Sequence, residues 1–175
     1  MKNTSILTSI ACIALLITAA CGYHNPYVYT GPDKSIYITS WKNRTSELQL
    51  ESEIYQSLLQ WFQKSSSLSV VSEKDGADLI LGGEIVSVDL PSLSYGSNNT
   101  TREVKLKLRI RYILKDLKSG EILFQEPDTV RTEEYVISSN NSITDANEDE
   151  ALEIIIDELS QDIYRQTLSS LTSPQ

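Results

Sequence analysis

The sequence predicts an α+β domain, a two-layer sandwich in which two amphipathic helices pack on one face of a mostly antiparallel or mixed sheet of about four strands. Two observations lead to this fold class. The chain contains one strand-like segment, a helix-like segment, about three further strand-like segments and a second helix-like segment, in that order. Each of these segments has one apolar face, and a two-layer arrangement buries all of those faces in one core.

The first 20 residues have the features of a secretory signal peptide. Lys2 is their only charged side chain, and the apolar segment at residues 6–20 is shorter than the roughly 20 residues that span a bilayer. Two alanines directly precede Cys21, as in lipoprotein signals. We therefore expect residues 1–20 to be removed and Cys21 to carry acyl chains that anchor the protein to a membrane.

Thr18 departs from this pattern, because lipoprotein signals usually have an aliphatic residue three positions before the cysteine. The alternative is an ordinary signal peptide cut after Ala20, which would leave a lone cysteine at the mature N-terminus of an exported protein. Gly22 is not the aspartate that tends to retain lipoproteins in the inner membrane. The expected location is therefore the outer membrane.

The remaining chain divides into a tether, one domain and a tail. Residues 21–33 form the lipidated tether, which contains residues that oppose regular structure: Pro26, Gly31 and Pro32. Residues 34–171 form a single α+β domain, and residues 172–175 form the tail. Because the only other cysteine, Cys12, lies in the leader, the mature chain has no disulfide and depends on its core for stability.

The first half of the domain begins with a strand and a helix. Residues 35–41 are rich in β-branched and aromatic side chains and predict a strand, and residues 42–45 are expected to turn. Ser46 and Gln49 fit a capping box at the start of a helix. Apolar residues then recur at three- and four-residue spacing. They are Leu50, Ile54, Leu58 and Trp61 on one line, with Tyr55, Leu59 and Phe62 beside it.

Two shorter strands and a loop follow this helix. Strands are predicted at residues 68–71 and 77–88, and a polar loop at residues 91–101. The second strand contains Gly82 and Gly83, which indicate a β-bulge or a close approach of another backbone segment.

Strict alternation between residues 103 and 114 predicts a long strand with one buried and one charged face. Residues 116–120 are expected to turn the chain and residues 121–125 to form the hairpin partner. Pro127 interrupts this partner, as on an edge strand, and pairing is expected to resume at residues 129–136.

The last element is predicted to be a helix at about residues 148–171, after a polar loop at residues 138–147. Its apolar face consists of Leu152, Ile155, Ile156, Leu159 and Ile163. Acidic side chains cover its start and outer face, where they suit the helix dipole and are expected to be solvated.

The composition offers few residues for catalysis. His24 is the only histidine and lies in the tether, and the mature chain has no cysteine other than Cys21. A nucleophile with a positioned base is therefore missing, and we expect no enzyme activity, no metal site and no cofactor. The net charge of −9 argues against a nucleic-acid partner.

The strongest candidate binding feature is the charged face of the long strand, which we call the basic strip. It consists of Lys105, Lys107, Arg109 and Arg111. Side chains two residues apart on a strand lie about 6.5–7 Å from each other, so these cations repel one another unless anions are near. The basic strip therefore either binds phosphate or carboxylate groups, which arginine can hold bidentately, or pairs across the sheet or is solvated. The expected cross-strand partners are Glu126, Glu133 and Glu134.

Several segments together resemble one known family. They are Cys21-Gly22-Tyr23-His24, Ile36-Tyr37-Ile38, Trp41-Lys42-Asn43-Arg44-Thr45, Leu50-Glu51, Leu68-Ser69-Val70-Val71, Ala77-Asp78-Leu79-Ile80-Leu81-Gly82-Gly83-Glu84-Ile85 and Ser94-Tyr95. In this order they resemble the pattern of the lipopolysaccharide-assembly lipoprotein family, LptE, over nearly the whole mature chain.

This resemblance implies a plug subunit seated in an outer-membrane β-barrel that assembles lipopolysaccharide into the outer leaflet. It further implies that the lipoprotein helps the barrel fold and lies on the periplasmic side or inside the barrel lumen. Lipopolysaccharide phosphates would then be the ligand of the basic strip.

Two other functions remain open at this point. Envelope lipoproteins that activate a cell-wall synthase or form part of a secretion pore also contain an "A-D-x-x-L-x-G" strand, which residues 77–83 match. A third possibility, an envelope hydrolase, has no good candidate residue in the sequence.

Overall fold

The computed structural model describes Tyr29 and residues 31–89 and 102–172. Its elements are β1 (Lys34–Ile38), β2 (Lys42–Asn43), α1 (Leu50–Phe62), β3 (Leu68–Val71), β4 (Leu79–Asp89), β5 (Arg102–Asp116), β6 (Ile122–Ile137) and α2 (Asn141–Thr172). The predicted leader, the lipidation site Cys21, the loop at residues 91–101 and the end of the tail lie outside the described residues.

The strands form one mixed sheet in the order β3-β1-β4-β5-β6, with β2 also paired to β4. Strands β3, β1 and β4 are parallel, whereas β4, β5 and β6 are antiparallel. Because β1 pairs with Leu79–Leu81 and β2 with Glu84–Ile85, these two short strands lie one after the other along the same edge of β4.

The predicted α+β class is thus confirmed, although the described sheet has six strands instead of about four. Part of the difference lies at residues 42–45, which were expected to turn. Lys42 and Asn43 instead pair with β4 and continue the direction of β1 beyond a short break.

Both helices contribute to one core on the same face of the sheet. The buried line of α1 is Leu50, Ile54, Leu58 and Phe62, so Phe62 rather than Trp61 completes the predicted stripe. In α2, Ile155, Ile156, Leu159 and Ile163 are buried as predicted. Tyr29, from the predicted tether, is only 3% exposed and joins this core.

The predicted capping box at residues 46–49 is wrong. Gln49 is the N-cap residue, with φ of 72° and no side-chain hydrogen bond to the helix. The loop before α1 is instead held by Asn43, whose Nδ2 donates to Glu51 Oε2 at 2.8 Å and whose Oδ1 accepts from the backbone N–H of Thr45 at 2.9 Å. A polar side chain on β2 therefore replaces the local cap.

Helix α2 begins at Asn141, about two turns before the predicted start. The polar residues that suggested a loop in fact form the helix N-terminus. Asn140 Oδ1 accepts from the N–H of Ser142 at 3.1 Å, and the buried hydroxyl of Thr144 accepts from the N–H of Ser138 at 2.9 Å. Serine, threonine and asparagine favour such capping positions, which a search for apolar spacing misses.

The two glycines of β4 have different surroundings. Gly83 lies against the indole ring of Trp41, which stacks on Tyr112 with ring centroids 6.2 Å apart. The β-bulge occurs further on, where the register with β5 shifts between Ile85 and Ser87. At Gly83 the close approach is thus made by a side chain, the indole of Trp41, and not by another backbone segment as expected, and the bulge lies elsewhere in β4.

Asp78 joins the start of β4 to β1 and to the turn between β5 and β6. Its Oδ2 accepts from Ser35 N at 2.8 Å and from Ser35 Oγ at 2.9 Å, and Lys118 Nζ lies 2.5 Å from Oδ1. The hydrogen bond from Lys118, followed by those from Ser35, lowers the pKa of Asp78 from 3.8 to about 2.

We expect Asp78→Asn to destabilise the protein by about 1–2 kcal/mol near pH 7, since Lys118 is largely exposed and its interaction is partly screened. The unfolded chain takes up the proton first as the pH falls, so the carboxylate's contribution is complete above pH 3.8 and is lost towards pH 2. Urea unfolding of the parent and of Asp78→Asn at pH 7 and at pH 2.5 measures this contribution. The difference between their free energies of unfolding should be smaller at pH 2.5. The control is Asp75→Asn, an exposed carboxylate in the preceding turn. If the loss of stability in Asp78→Asn were the same at both pH values, the ionised carboxylate of Asp78 would not be the cause.

Candidate functional site

The basic strip lies on the face of the sheet that points away from both helices, which we call the open face. Along β5, Leu106, Leu108 and Ile110 are fully buried in the core. The alternating residues Lys105, Lys107, Arg109 and Arg111 are exposed. The strand thus separates apolar and charged side chains as its alternation predicts.

Two cations of the basic strip pair with carboxylates on β6. Lys105 Nζ lies 2.9 Å from Glu134 Oε1, directly across the sheet. Arg109 Nη1 donates to both oxygens of Asp128, at 3.2 and 3.1 Å. The four side chains are 44–59% exposed, so each pair is worth only about 0–1 kcal/mol. An incoming anion can therefore displace Glu134 and Asp128 at little cost.

Arg111 is held more firmly than the other cations. Its Nε donates to Glu84 Oε2 at 2.6 Å, and the same carboxylate also pairs with Arg44 from the loop after β2. The Glu84 side chain is only 13% exposed and is therefore largely shielded from water. Its charge is balanced by the guanidinium groups of Arg44 and Arg111. Arg111 therefore contributes mainly to the joint between β2, β4 and β5.

Lys107 is the cation of the basic strip that makes no direct ion pair with another described residue. Its neighbours in register are Asp89 on β4 and Thr132 on β6. Among the described residues, no carboxylate oxygen lies within 4.0 Å of its ammonium group, whereas Lys105, Arg109 and Arg111 each have such a partner. An anion bound on the open face would find Lys107 already available.

The cross-strand partners expected from the sequence are only partly correct. Glu134 pairs as expected, but Glu133 lies opposite Leu106 and Glu126 opposite Tyr112, so both belong to the helix-covered face. Glu126 there accepts a hydrogen bond from Gln166 of α2. The register shift near Pro127 brings Asp128 beside Arg109, and strand alternation alone does not reveal such a shift.

The open face also carries apolar side chains that the sequence pattern alone did not reveal as a group. We call them the apolar patch: Tyr37, Val71, Ile80 and Ile113. Val71, Tyr37 and Ile80 are in register across β3, β1 and β4. Consecutive apolar residues such as Leu79-Ile80-Leu81 were the available signal, because such a run places apolar side chains on both faces of a strand.

A shallow cavity of about 330 Å³ separates the basic strip from the apolar patch. Gly82, which has no side chain, lies at this cavity beside Ile113, while Arg111 and Glu84 line its charged side. Gln125 and Pro127 of β6 line the remaining side. The open face therefore carries cations along β5, including the exposed Lys115 opposite Ile80, and apolar side chains mainly on β4, β1 and β3.

The comparisons with known proteins identify the family. The family model of LptE, described as lipopolysaccharide-assembly, matches residues 34–167. The chain belongs to the LptE family. The resemblance noted in the sequence is thereby confirmed, and with it a role as a lipoprotein in lipopolysaccharide assembly and outer-membrane biogenesis. LptE is a family of assembly lipoproteins rather than of enzymes. Comparison with curated proteins gives no match.

Solved structures with a similar fold come from several bacteria. The solution structure of uncharacterized lipoprotein B from Nitrosomonas europaea is 20% identical, with a TM-score of 0.57, and the match covers 87% of this chain and 94% of that one. A crystallised protein from Xanthomonas campestris is 10% identical, with a TM-score of 0.55 and coverage of 82% and 95%.

The PelC dodecamer from Paraburkholderia phytofirmans also shares the fold, with 10% identity, a TM-score of 0.51 and coverage of 79% and 91%. These likenesses concern the fold alone, whereas the LptE match concerns the sequence over most of the domain. In the described part of the chain, neither helix is long and apolar enough to cross a membrane.

The segments that resemble LptE motifs have structural roles in this chain. Asn43 and Thr45 hold the loop before α1, Asp78 links three parts of the sheet, and Gly83 makes room for Trp41. None of these residues belongs to the basic strip. The motifs therefore account for the fold, and the binding residues have to be inferred from the open face.

Proposed function

We propose that this LptE protein is an outer-membrane lipoprotein, anchored through Cys21, that plugs and helps assemble a lipopolysaccharide-assembly β-barrel and takes part in inserting lipopolysaccharide into the outer leaflet. The match of the LptE model to residues 34–167 is the observation that carries this proposal. The domain would lie on the periplasmic side of the membrane or inside the barrel lumen, close to the anchor.

We further propose that the basic strip binds phosphate groups of lipopolysaccharide. Lys107 offers an ammonium group without a carboxylate partner in the described chain, and Lys105 and Arg109 have exposed partners that an anion can replace. Charge-assisted hydrogen bonds to phosphate are stronger than such exposed pairs. Arg111 stays paired with Glu84 and is not expected to contact the phosphate directly.

We expect the charge reversals Lys107→Glu and Arg109→Glu to weaken lipopolysaccharide binding by roughly tenfold or more each, since one charge-assisted contact is worth about 1.5–3 kcal/mol. Binding of labelled lipopolysaccharide to the full-length lipoprotein in mild detergent would measure this. The difference should shrink as salt is raised, because screening weakens exposed charges.

The matched control is Lys74→Glu, which makes the same charge change at an exposed position in the turn before β4. Unchanged affinity in the variants of the basic strip, or an equal loss in Lys74→Glu, would show that the strip is not the phosphate site.

Purification of the full-length protein from an outer-membrane detergent extract, followed by mass spectrometry, tests the partner and the anchor together. A co-purifying β-barrel protein and an acylated Cys21 support the proposal. A cell-wall synthase, or a ring of the lipoprotein itself, would instead support one of the other functions that the sequence left open.

A further inference from the structure

We propose that the apolar patch is an acyl-chain site, so that the open face binds lipopolysaccharide through phosphate and hydrocarbon at once. This inference rests on the proposed function, because the ligand is the lipid whose phosphates contact the basic strip. It adds a second contact surface, made by Tyr37, Val71, Ile80 and Ile113, and a direction in which the lipid lies, from the cations of β5 across the sheet towards β1 and β3.

The apolar patch is not part of the hydrophobic core. Ile36 and Ile38 on either side of Tyr37 are buried, as are the residues on either side of Ile80 and Ile113. Strand alternation therefore turns Tyr37, Ile80 and Ile113 to the open face, where they are half-buried and outside the core cluster. Their packing does not require them to be apolar, since the helices cover the opposite face.

The position of the apolar patch matches the shape of an amphipathic lipid. Ile113 and Arg111 are two residues apart on β5, and Lys107 lies about 20 Å from Ile113 along the strand. The cavity at Gly82 continues the apolar surface from Ile113 towards the boundary with the charged side chains. A single lipid molecule can thus place phosphates near Lys107 and a hydrocarbon chain over the patch.

The charges of the open face favour this ligand over an uncharged hydrocarbon or an apolar protein surface. The cations of β5, among them the exposed Lys115 opposite Ile80, favour an anionic group, and the apolar side chains of β4, β1 and β3 favour a hydrocarbon. Among the molecules that the family handles, lipopolysaccharide supplies both groups in one molecule. We therefore assign the hydrocarbon to its acyl chains.

The decisive experiment compares two probes on the full-length lipoprotein in mild detergent. One probe is intact lipopolysaccharide, and the other is lipopolysaccharide from which all acyl chains have been removed chemically, leaving its phosphates. The double variant Ile80→Ser, Ile113→Ser is expected to bind intact lipopolysaccharide about tenfold more weakly and the deacylated probe as well as the parent does. Leu48→Ser, at an exposed leucine beside α1, is the control and should change neither affinity.

The two proposals fail in different ways. If the double variant binds intact lipopolysaccharide as tightly as the parent while Lys107→Glu still binds both probes more weakly, the acyl-chain site is wrong and the phosphate site stands. If Lys107→Glu binds both probes like the parent, the phosphate site is wrong, and the inference that depends on it falls as well.

A second measurement does not depend on affinity or on the folding of serine variants. A photoreactive benzophenone amino acid is placed at Tyr37, Thr132 or Leu48 in the full-length protein in Gram-negative cells, and the crosslinked products are tested for lipopolysaccharide. Adducts at both Tyr37 and Thr132, but not at Leu48, are expected. Adducts at Thr132 alone, or a protein or the chain's own acyl anchor crosslinked at Tyr37, would overturn the acyl-chain site.

Discussion

Replacing Gly83 with alanine is expected to destabilise the protein by about 3 kcal/mol or more, which is a large fraction of a domain's total stability. A Cβ atom at this position would overlap the indole ring of Trp41, with three ring atoms under 3.0 Å away. The ring cannot move aside easily, because it is 2% exposed and stacked on Tyr112. The substitution therefore forces either Trp41 or β4 out of position.

The neighbouring glycine provides the control for this prediction. A Cβ atom at Gly82 would meet only Thr39 Oγ1, at an ordinary contact distance of 3.5 Å. Gly82→Ala should therefore be neutral or stabilise the strand by up to about 1 kcal/mol, because alanine loses less backbone entropy on folding. Urea unfolding of both variants measures the contrast. Equal losses in Gly82→Ala and Gly83→Ala would mean that backbone freedom, rather than the space needed by Trp41, explains Gly83.

Most of the fold can be predicted from this sequence because its periodicities are strong. The alternation between Glu103 and Leu114 identifies β5 and both of its faces, and the spacing from Leu50 onwards identifies α1. The predictions were wrong at the starts of the two helices, where polar side chains rather than apolar spacing determine the boundary. Asn43 stabilises the start of α1 from a neighbouring strand, and the first turns of α2 consist of residues typical of loops. Contacts between segments distant in sequence leave no periodic signal.

The candidate site is less predictable than the fold, for a related reason. The residues of the basic strip follow from one strand, so the sequence reveals them. Their ion pairs depend on register, and the shift opposite Pro127 decides that Asp128 rather than Glu126 meets Arg109. The apolar patch combines residues from β1, β3, β4 and β5, and each of them looks like an ordinary strand residue until the sheet order is known.

The residues Phe62 and Trp61 show why helical spacing alone does not identify the core. Alanine substitutions at these two positions are expected to have unequal effects on stability. Both positions fit the apolar stripe of α1 by spacing, but the two side chains contact α2 differently. Phe62 is fully buried and packs edge-on against Tyr164, with ring centroids 5.4 Å apart. Phe62→Ala should therefore cost about 3–5 kcal/mol, because it removes a buried ring and leaves a cavity between the two helices.

Trp61→Ala removes a larger side chain but should cost less, about 1–2 kcal/mol. The indole is only half-buried at the rim of the helix layer, where its Nε1 donates to Asp157 at 2.7 Å and Lys64 lies 3.2 Å from the ring centroid. Water can replace part of these polar interactions, whereas nothing refills the space left by Phe62. The two free energies of unfolding, measured in urea on the same preparation, should therefore rank in the order opposite to side-chain size. A greater loss in Trp61→Ala would place the centre of the α1–α2 contact at the rim instead of at Phe62.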